Sequence, residues 1–219
     1  MKRIFLILVI FTSLAACKKD DKPKVLTPKE QSKADDKRII EYMESHKVED
    51  YFVGKMSNNI DWRIIDLADD DTEDTETLFD LMGENVIETK YKDVDYKMYY
   101  YIKDKGAGHQ VDAKETVRVD YNVFSLFTYK LKDRVDFTDL TVEFPIPGLI
   151  EGWKLGLEKF NVGIKPADFP GTSDFPYRKL IENPGRGILL VPSGIAYGPG
   201  SNILRFDIVV YDSTPAEEE

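Results

Sequence analysis

Hydrophobic and polar residues alternate along several stretches of the second half of the chain, and this alternation predicts β-strands. In 117–123, for example, Val, Val, Tyr and Val occupy every second position, with Arg, Asp and Asn between them. A short unbroken apolar run that Pro terminates adds a further strand. The strands predicted from these patterns span 94–103, 117–123, 141–146, 187–191 and 203–211.

Three other segments have the three-to-four-residue apolar spacing that is typical of amphipathic helices. They are 39–46, 77–82 and 149–160, and Asp35 or Asp36 is the candidate N-cap of the first. The combined pattern predicts an α+β fold. We expect an antiparallel sheet of five or six strands wrapped on one short helix, with an N-terminal extension.

The sequence predicts that residues 1–16 are a signal peptide. Lys2 and Arg3 precede an apolar run of signal-peptide length, which is too short for a helix that crosses a bilayer. The run ends in Leu-Ala-Ala-Cys, which resembles a bacterial lipobox, and Cys17 is the only Cys of the chain. We expect lipid on Cys17 to attach the protein to a membrane of the cell envelope, namely the outer membrane, on its periplasmic or surface side. An ordinary secretory cleavage site with an incidental Cys is the alternative.

Residues 17–37 lack apolar periodicity and are rich in charge, which predicts a flexible tether after the lipidation site. The Lys-Asp-Asp at 19–21 resembles the export signal of surface-exposed lipoproteins in the Bacteroidetes, or is a charged linker. We expect 38–93 to form a partly helical N-terminal extension. The main domain is predicted at 94–213, with an insertion at 164–186.

Charge and composition exclude several classes of function. The formal net charge of −10 argues against nucleic acid as a partner. His46 and His109 lie far apart and have no Cys partner, so no zinc site is expected. The acidic run at 69–76 lacks the spaced oxygen ligands and central Gly of a calcium loop. We therefore expect neither a metal nor a cofactor.

Two motifs indicate an apolar pocket with a hydroxyl at its rim: one puts a Trp at the start of a helix, and the other puts a Tyr in a Gly-bounded turn. With further pieces, 94–212 resembles the FKBP-type peptidyl-prolyl cis-trans isomerases, in the lipoprotein form of the Bacteroidetes. The matching pieces, in the family's order, are Gly106-x-Gly108, Val117-x-Val119-x-Tyr121, Val142-x-Phe144-x-Ile146, Leu149-Ile150-x-Gly152-Trp153-x-x-Gly156-Leu157, Gly163, Ala196-Tyr197-Gly198 and Leu204-x-Phe206-Asp207.

The resemblance implies catalysis of the rotation about X-Pro peptide bonds in exported, proline-containing polypeptides. It implies that Trp153 forms the floor of a pocket for the proline ring. The backbone N–H of Ile150 and the hydroxyl of Tyr197 would bind carbonyl groups of the substrate. The resemblance further implies that the walls are Tyr121, Phe144 and Phe206, and that Asp136, Leu149 and Val142 take part in substrate binding.

Three features depart from the family's pattern. The Phe-Asp pair that usually follows the strand Tyr is missing, and Val135-Asp136 is the nearest substitute. The loop after Ala-Tyr-Gly is cut to 199–202, and the insertion 164–186 could cover the pocket or block it. The alternative function is therefore a catalytically weak FKBP-like binding module or chaperone, in an envelope complex such as gliding or secretion machinery.

Overall fold

The computed structural model describes most of the chain after its N-terminal segment. It covers 25–50, 60–68, 71, 74–126, 131–134, 142–167 and 180–215, with the backbone alone described at 131–134, 142–144 and 215. The predicted signal peptide 1–16, Cys17, Asp136 and most of the insertion 164–186 lie outside the described residues. No helix in the described ranges combines the length and the apolar character needed to cross a membrane.

The first described element is a long helix, α1 (Pro28–Glu44). Thr27 is its N-cap and forms a capping box with Glu30, in which the N–H of Glu30 donates to Thr27 Oγ1 and the N–H of Thr27 donates to Glu30 Oε2. Pro at the first helical position is pre-organised for this start. Further along, Ile39 and Met43 are completely buried.

This helix corrects two predictions. From residue 28 onward, the chain is helical where a flexible tether was expected at 17–37. Asp35 and Asp36, the candidate N-caps, lie inside the helix rather than at its start. The early turns of α1 carry few apolar residues, so periodicity does not reveal them. Polar contacts hold these turns instead. The hydroxyl of Ser32 donates to the carbonyl of Asp95 at 2.6 Å, and Asp35 is fully buried.

A small two-stranded sheet and a short helix follow α1. Strand β1 (His46–Asp50) pairs antiparallel with β2 (Trp62–Asp66). The helix is α2 (Leu78–Met82), with Thr77 as its N-cap, so the helix predicted at 77–82 is confirmed.

Seven strands form the main antiparallel sheet of the described chain. They are β3 (Val86–Tyr91), β4 (Val94–Asp104), β5 (Glu115–Ser125), β6 (Leu131–Arg134), β7 (Val142–Pro145), β8 (Gly185–Val191) and β9 (Leu204–Pro215). Their order is β3-β4-β8-β9-β5-β6, and β7 pairs with a different part of β5 than β6 does. The predicted α+β class is confirmed, and β3 and β6 add to the strands that alternation predicted.

The β3–β4 hairpin contradicts the predicted boundary between 38–93 and 94–213. Its two turn residues are Lys92 and Asp93, both with positive φ, so that boundary cuts through a turn. The N-terminal extension therefore supplies an edge strand to the main sheet.

Each face of the main sheet is covered by its own layer. Along β8, Leu189 and Val191 belong to the apolar cluster on the side of helix α3 (Glu151–Leu157), while Ile188 and Leu190 belong to the cluster that contains the apolar residues of α1. Burial on both faces explains why residues 187–191 of β8 form a continuous apolar run. The extension thus covers the face of the sheet that α3 leaves open.

Two glycines set the distance between α3 and β8. A Cβ on Gly152 would lie 2.2 Å from Cγ1 of Val191, and a Cβ on Gly156 would lie 2.4 Å from Cδ1 of Leu189. A side chain at either position would overlap the strand. The helix therefore packs with its backbone against β8, and Trp153 beside Gly152 is held close to the sheet.

We predict that the folded protein loses stability as the pH falls below about 6.5, the ordinary pKa of His46. Burial lowers the pKa of His46, outweighing the opposite effects of the Tyr42 carbonyl and Asp66, while Arg205 lowers it further. Because the unfolded chain then takes up the proton at higher pH than the folded one, acid favours unfolding.

Chemical denaturation at pH 7.5, 6.5 and 5.5 measures this dependence. His46→Gln should flatten it over that range, whereas His109→Gln, a substitution at an exposed position, should leave it in place. An unchanged slope in His46→Gln would contradict the assignment.

Candidate active site

Three aromatic side chains meet on the α3 face of the main sheet. The ring centroids lie 5.0 Å apart for Tyr121 and Trp153, 5.2 Å for Trp153 and Phe206, and 6.4 Å for Tyr121 and Phe206. Tyr121 meets the indole edge-on, at an interplanar angle of 80°, which is a favourable arrangement for aromatic pairs. No member of the cluster is more than 8% exposed.

Strand register brings two of these residues together. Val123 of β5 pairs with Phe206 of β9. Since side chains on one face of a strand recur at every second residue, Tyr121 and Val123 share a face with Leu204 and Phe206. Trp153 contacts the same face of the sheet from helix α3. Gly152 and Gly156 allow that helix to pack directly against β8.

A cavity of about 400 Å³ opens beside the aromatic cluster. Its volume is within the range of about 300–1,000 Å³ that is typical of sites for small ligands. None of the described lining residues has a charged side chain. The described lining consists of Tyr121, Val123, Gly148, Leu149, Ile150, Trp153, Tyr197, Asn202, Leu204 and Phe206.

The start of α3 offers a backbone donor to this cavity. Ile150 is the N-cap of the helix, and its carbonyl accepts from the N–H groups of Trp153 and Lys154 at 3.0 and 3.2 Å. Among the described parts of the chain, no acceptor takes the N–H of Ile150. Its position on the cavity wall makes it able to bind a carbonyl oxygen inside the cavity.

Tyr197 stands at the rim, on a turn that follows a 3₁₀ helix at Ser193–Ile195. The turn is closed by Gly198, whose φ of +111° is unfavourable for residues with a side chain. The side chain of Tyr197 is 74% exposed, which makes it one of the few exposed large apolar side chains of the described chain. Its hydroxyl is therefore accessible to a bound polypeptide.

Ser193 is the centre of the hydrogen bonds that hold this turn. Its carbonyl accepts from the N–H groups of Ala196 and Gly198, at 3.1 and 2.9 Å, and from the hydroxyl of Ser201 at 3.4 Å. Its own N–H and hydroxyl donate to one carboxylate oxygen of Asp35, at 2.9 and 2.5 Å. Asp35 and Ser193 are both fully buried. A carboxylate of the N-terminal extension thus holds the turn that carries Tyr197.

The predicted site residues fall into two groups. Tyr121, Ile150, Trp153, Tyr197 and Phe206 line the one cavity, together with Leu149. The other group consists of Val142, Phe144 and Asp136, and no described contact places these residues at the cavity. The backbones of Val142 and Phe144 lie in β7, opposite Val119 and Val117, but their side chains, and all of Asp136, lie outside the described residues.

Four lining residues were not among the predicted site residues, namely Val123, Gly148, Asn202 and Leu204, and Gly148 directly precedes the predicted Leu149. Val123 and Leu204 follow from strand alternation, because each lies two residues from a predicted aromatic on the same face. Asn202 has no comparable signal. It lies in an irregular segment and accepts from the hydroxyl of Ser125 through its amide oxygen at 3.1 Å, a contact between residues that are distant in sequence.

The chemistry that the cavity allows is limited by its lining. Among the described residues, no group of His, Cys, Asp and Glu side chains could hold a metal ion. The lining offers aromatic and aliphatic surface, the hydroxyl of Tyr197, the Asn202 amide and backbone groups. This set can exclude water from an apolar ring and bind carbonyl oxygens, but it contains no charged acid, base or nucleophile.

No protein-family model and no curated protein matches the sequence. Solved structures similar to the chain include FkpA from Escherichia coli, at 21% identity and a TM-score of 0.41, covering 59% of this chain and 52% of that one. The chain therefore spans about half the length of FkpA.

Two more solved structures are similar to the chain. A peptidyl-prolyl cis-trans isomerase from Pseudomonas syringae has 20% identity and a TM-score of 0.40, over 59% of this chain and 81% of that one. The N-terminal domain of FKBP42 from Arabidopsis thaliana has 12% identity and a TM-score of 0.40, over 53% and 86%. Likeness at this level says nothing about which residues of this chain act.

We predict that Asp35→Ala destabilises the protein by about 2–3 kcal/mol, because it leaves two buried donors of Ser193 without their charged acceptor. Urea denaturation measures the free energy of unfolding. In Asp35→Ala, hydrogen exchange of the amides of Ala196 and Gly198 should also become faster. Asp36→Asn is the matched control, since the neighbouring Asp36 accepts from the hydroxyl of Tyr99 and not from the turn. Equal effects of the two variants would refute the role of Asp35.

Proposed function

We propose that this chain is a peptidyl-prolyl cis-trans isomerase of the FKBP type, acting on X-Pro bonds of exported polypeptides. One observation carries the proposal. Tyr121, Trp153 and Phe206 converge on a single uncharged cavity, with the N–H of Ile150 and the exposed Tyr197 at its wall and rim. The motifs that resemble the FKBP type supply these same five residues.

The reaction needs no charged catalyst, which fits the lining of the cavity. An X-Pro amide is planar by resonance, and rotation about it has a barrier of about 18–20 kcal/mol. The resonance that makes the amide planar also separates charge, so the twisted transition state is less polar than the planar ground state. An apolar cavity that excludes water therefore favours the twisted form relative to the planar one.

The required effect is moderate in energetic terms. Rotation takes tens of seconds without a catalyst. Reaching milliseconds requires an acceleration of roughly 10⁴-fold, equivalent to about 5–6 kcal/mol. In the proposed arrangement the proline ring lies on the indole of Trp153. Carbonyl groups beside the rotating bond accept from the N–H of Ile150 and from the hydroxyl of Tyr197, so only the bond itself is free to turn.

We predict that the full chain accelerates isomerisation of a proline-containing peptide, measured by NMR exchange spectroscopy, which needs no coupling protease. Trp153→Phe should lower kcat/KM roughly tenfold, equivalent to about 1.4 kcal/mol, because the smaller ring leaves part of the floor open. The matched control is Trp62→Phe. Trp62 is also buried, at 3% exposure, but it packs in the cluster on the opposite face of the sheet.

The control should change the melting temperature but not kcat/KM. If the wild-type protein gives only the uncatalysed rate, or if Trp153→Phe folds and equals the wild type, the isomerase proposal is wrong.

The second candidate function is a binding module or chaperone that holds proline-containing segments with little catalysis. The high exposure of Tyr197 favours it, because a rim residue that stands in water shields a bound amide poorly. Peptide binding to the full chain without acceleration of exchange would support this function, provided that Trp153→Phe weakens the binding.

We propose that the protein acts in the cell envelope, anchored through lipid on Cys17. The support is the lipobox-like sequence before the only Cys of the chain. In a bacterial host fed an alkyne fatty acid, the chain should take up the label and sediment with membranes, and Cys17→Ser should abolish both. Ser13→Ala, which alters the same segment without touching the Cys, should retain both. Label that persists in Cys17→Ser would refute the anchor.

A further inference from the structure

One edge of the main sheet is a regular strand with a free side. Strand β3 stands at the end of the strand order, and among the described strands it pairs with β4 alone. The pairing is continuous over six residues without a bulge, and the strand contains no Pro. Bulges and Pro are common devices that prevent a sheet edge from pairing with another chain. Neither of these devices blocks β3.

The free side of β3 presents the backbone groups of every second residue. Asn85, directly before the strand, accepts from the N–H of Tyr100 through its carbonyl at 3.1 Å, so the odd-numbered residues point their backbone groups toward β4. The N–H and C=O groups of Val86, Glu88 and Lys90 therefore point outward. A groove of about 440 Å³ between α1 and this hairpin leaves space beside Glu88 and Lys90.

Two charged residues of opposite sign occupy alternate positions on this edge. The side chains of Glu88 and Lys90 are 75% and 64% exposed. Glu88 lies 3.9 Å from Lys97 of β4, and Lys90 lies 3.7 Å from Asp93 of the hairpin turn. Ion pairs as exposed as these contribute little to stability. Both side chains are therefore able to turn toward a new partner.

Antiparallel pairing of β3 with a second copy of itself matches these charges. Such a pair joins residues that point outward in both copies, so its twofold axis passes through one residue of the strand. An axis at Glu88 or at Lys90 would place like charges opposite each other. An axis at Thr89 places Glu88 of each copy opposite Lys90 of the other. Because opposite charges stabilise a cross-strand pair and like charges destabilise it, the charges favour the register centred on Thr89.

The match extends to the strands behind the two edges. On β4, Lys97 stands opposite Glu88, and Asp95 stands opposite Lys90. A row across the four joined strands would contain Lys97, Glu88, Lys90 and Asp95 in that order. The sign of the charge alternates at every step of this row, and the twofold axis repeats the row in reverse. Charge complementarity therefore covers the joined face and not only a single pair.

The other face of the joined edges has matching neighbours as well. Across the axis, Ile87 would face Tyr91, and Thr89 would face Thr89 of the other copy. Ile87 is buried, while Thr89 and Tyr91 are half-buried at the outer side of the sheet. Pairs of an aromatic with a β-branched residue, and of Thr with Thr, are among the cross-strand pairs that stabilise antiparallel sheets. Both faces of β3 are thus complementary to themselves in one register.

We propose that β3 is the interface of a symmetric homodimer, in which two main sheets join at their β3 edges with Thr89 on the twofold axis. Glu88 and Lys90 set the register by pairing with each other across the axis. The strand has only six residues, so its pairing buries less than the roughly 1,600 Å² of a standard interface. The dimer is therefore weak and reversible.

Disulfide trapping in the full chain tests the register. The two copies of Thr89 would form a non-hydrogen-bonded pair with Cα atoms about 4.5 Å apart, within the range of about 4.4–6.8 Å that a disulfide spans. Thr89→Cys, combined with Cys17→Ser so that it supplies the only thiol, should cross-link to a dimer under mild oxidation. Thr116→Cys in the same background is the matched control, since Thr116 is also a half-buried strand Thr but lies between β7 and β9.

Charge reversal tests the pairing of the side chains. Sedimentation velocity of the wild type should show a monomer–dimer equilibrium that depends on concentration. Glu88→Lys and Lys90→Glu each place like charges across the axis and should weaken the dimer roughly tenfold or more. An equimolar mixture of the two variants restores opposite charges and should form mixed dimers with nearly the wild-type affinity. Lys114→Glu, which reverses an exposed charge in the turn before β5, should leave the equilibrium unchanged.

The homodimer is supported only if all these results agree, that is, if Thr89→Cys cross-links more than the control and the charge variants lose and regain pairing as described. Any other combination overturns it. A dimer that Glu88→Lys leaves intact uses another surface. If the chain stays monomeric and an added proline peptide slows hydrogen exchange at the amides of Glu88 and Lys90, the edge binds a client strand instead of a second copy.

Discussion

The close approach of α3 to β8 is the constraint on which the rest of the structure depends. Gly152 and Gly156 leave no space for a side chain between helix and strand. Only with the helix backbone so near the sheet can Trp153 form ring contacts with both β5 and β9. The same approach fixes the segment before the helix, whose residues Leu149 and Ile150 line the cavity.

The sheet connects this wall to the N-terminal extension. Because β8 is buried on both faces, the extension covers a surface that would otherwise expose Ile188 and Leu190 to water. Covering that face also brings Asp35 to the end of β8, where the strand passes into the turn that carries Tyr197. Stability and site geometry are therefore coupled. One helix buries apolar surface and also holds the rim, through a carboxylate whose burial is tolerated because it accepts three hydrogen bonds, two from Ser193 and one from Gln31.

Several elements were predictable from the sequence, since each has a regular pattern that burial imposes. They are the alternating strands, the short helix at 77–82 and helix α3, which carries Trp153. Val123 and Leu204 could have been found in the same way. The early turns of α1 could not, because Ser32 and Asp35 are buried by polar contacts to residues far along the chain. Periodicity registers apolar surface only. For the same reason the pairing of β3 with β4 was missed, and a continuous hairpin was divided into two units.

The uncharged lining of the cavity beside Trp153 bears on how such a site would be selective. A hollow that acts only by excluding water would accept many apolar rings, so the identity of the bound segment must come from elsewhere on the surface. Hydrogen bonds from one N–H and one hydroxyl fix the orientation of a backbone but do not read its side chains. The rim is the part of the lining that reaches solvent, since Tyr197 is 74% exposed whereas Tyr121, Trp153 and Phe206 are buried. Because Asp35 of α1 holds the turn that carries Tyr197, the extension that completes the core also fixes the part of the lining that faces solvent.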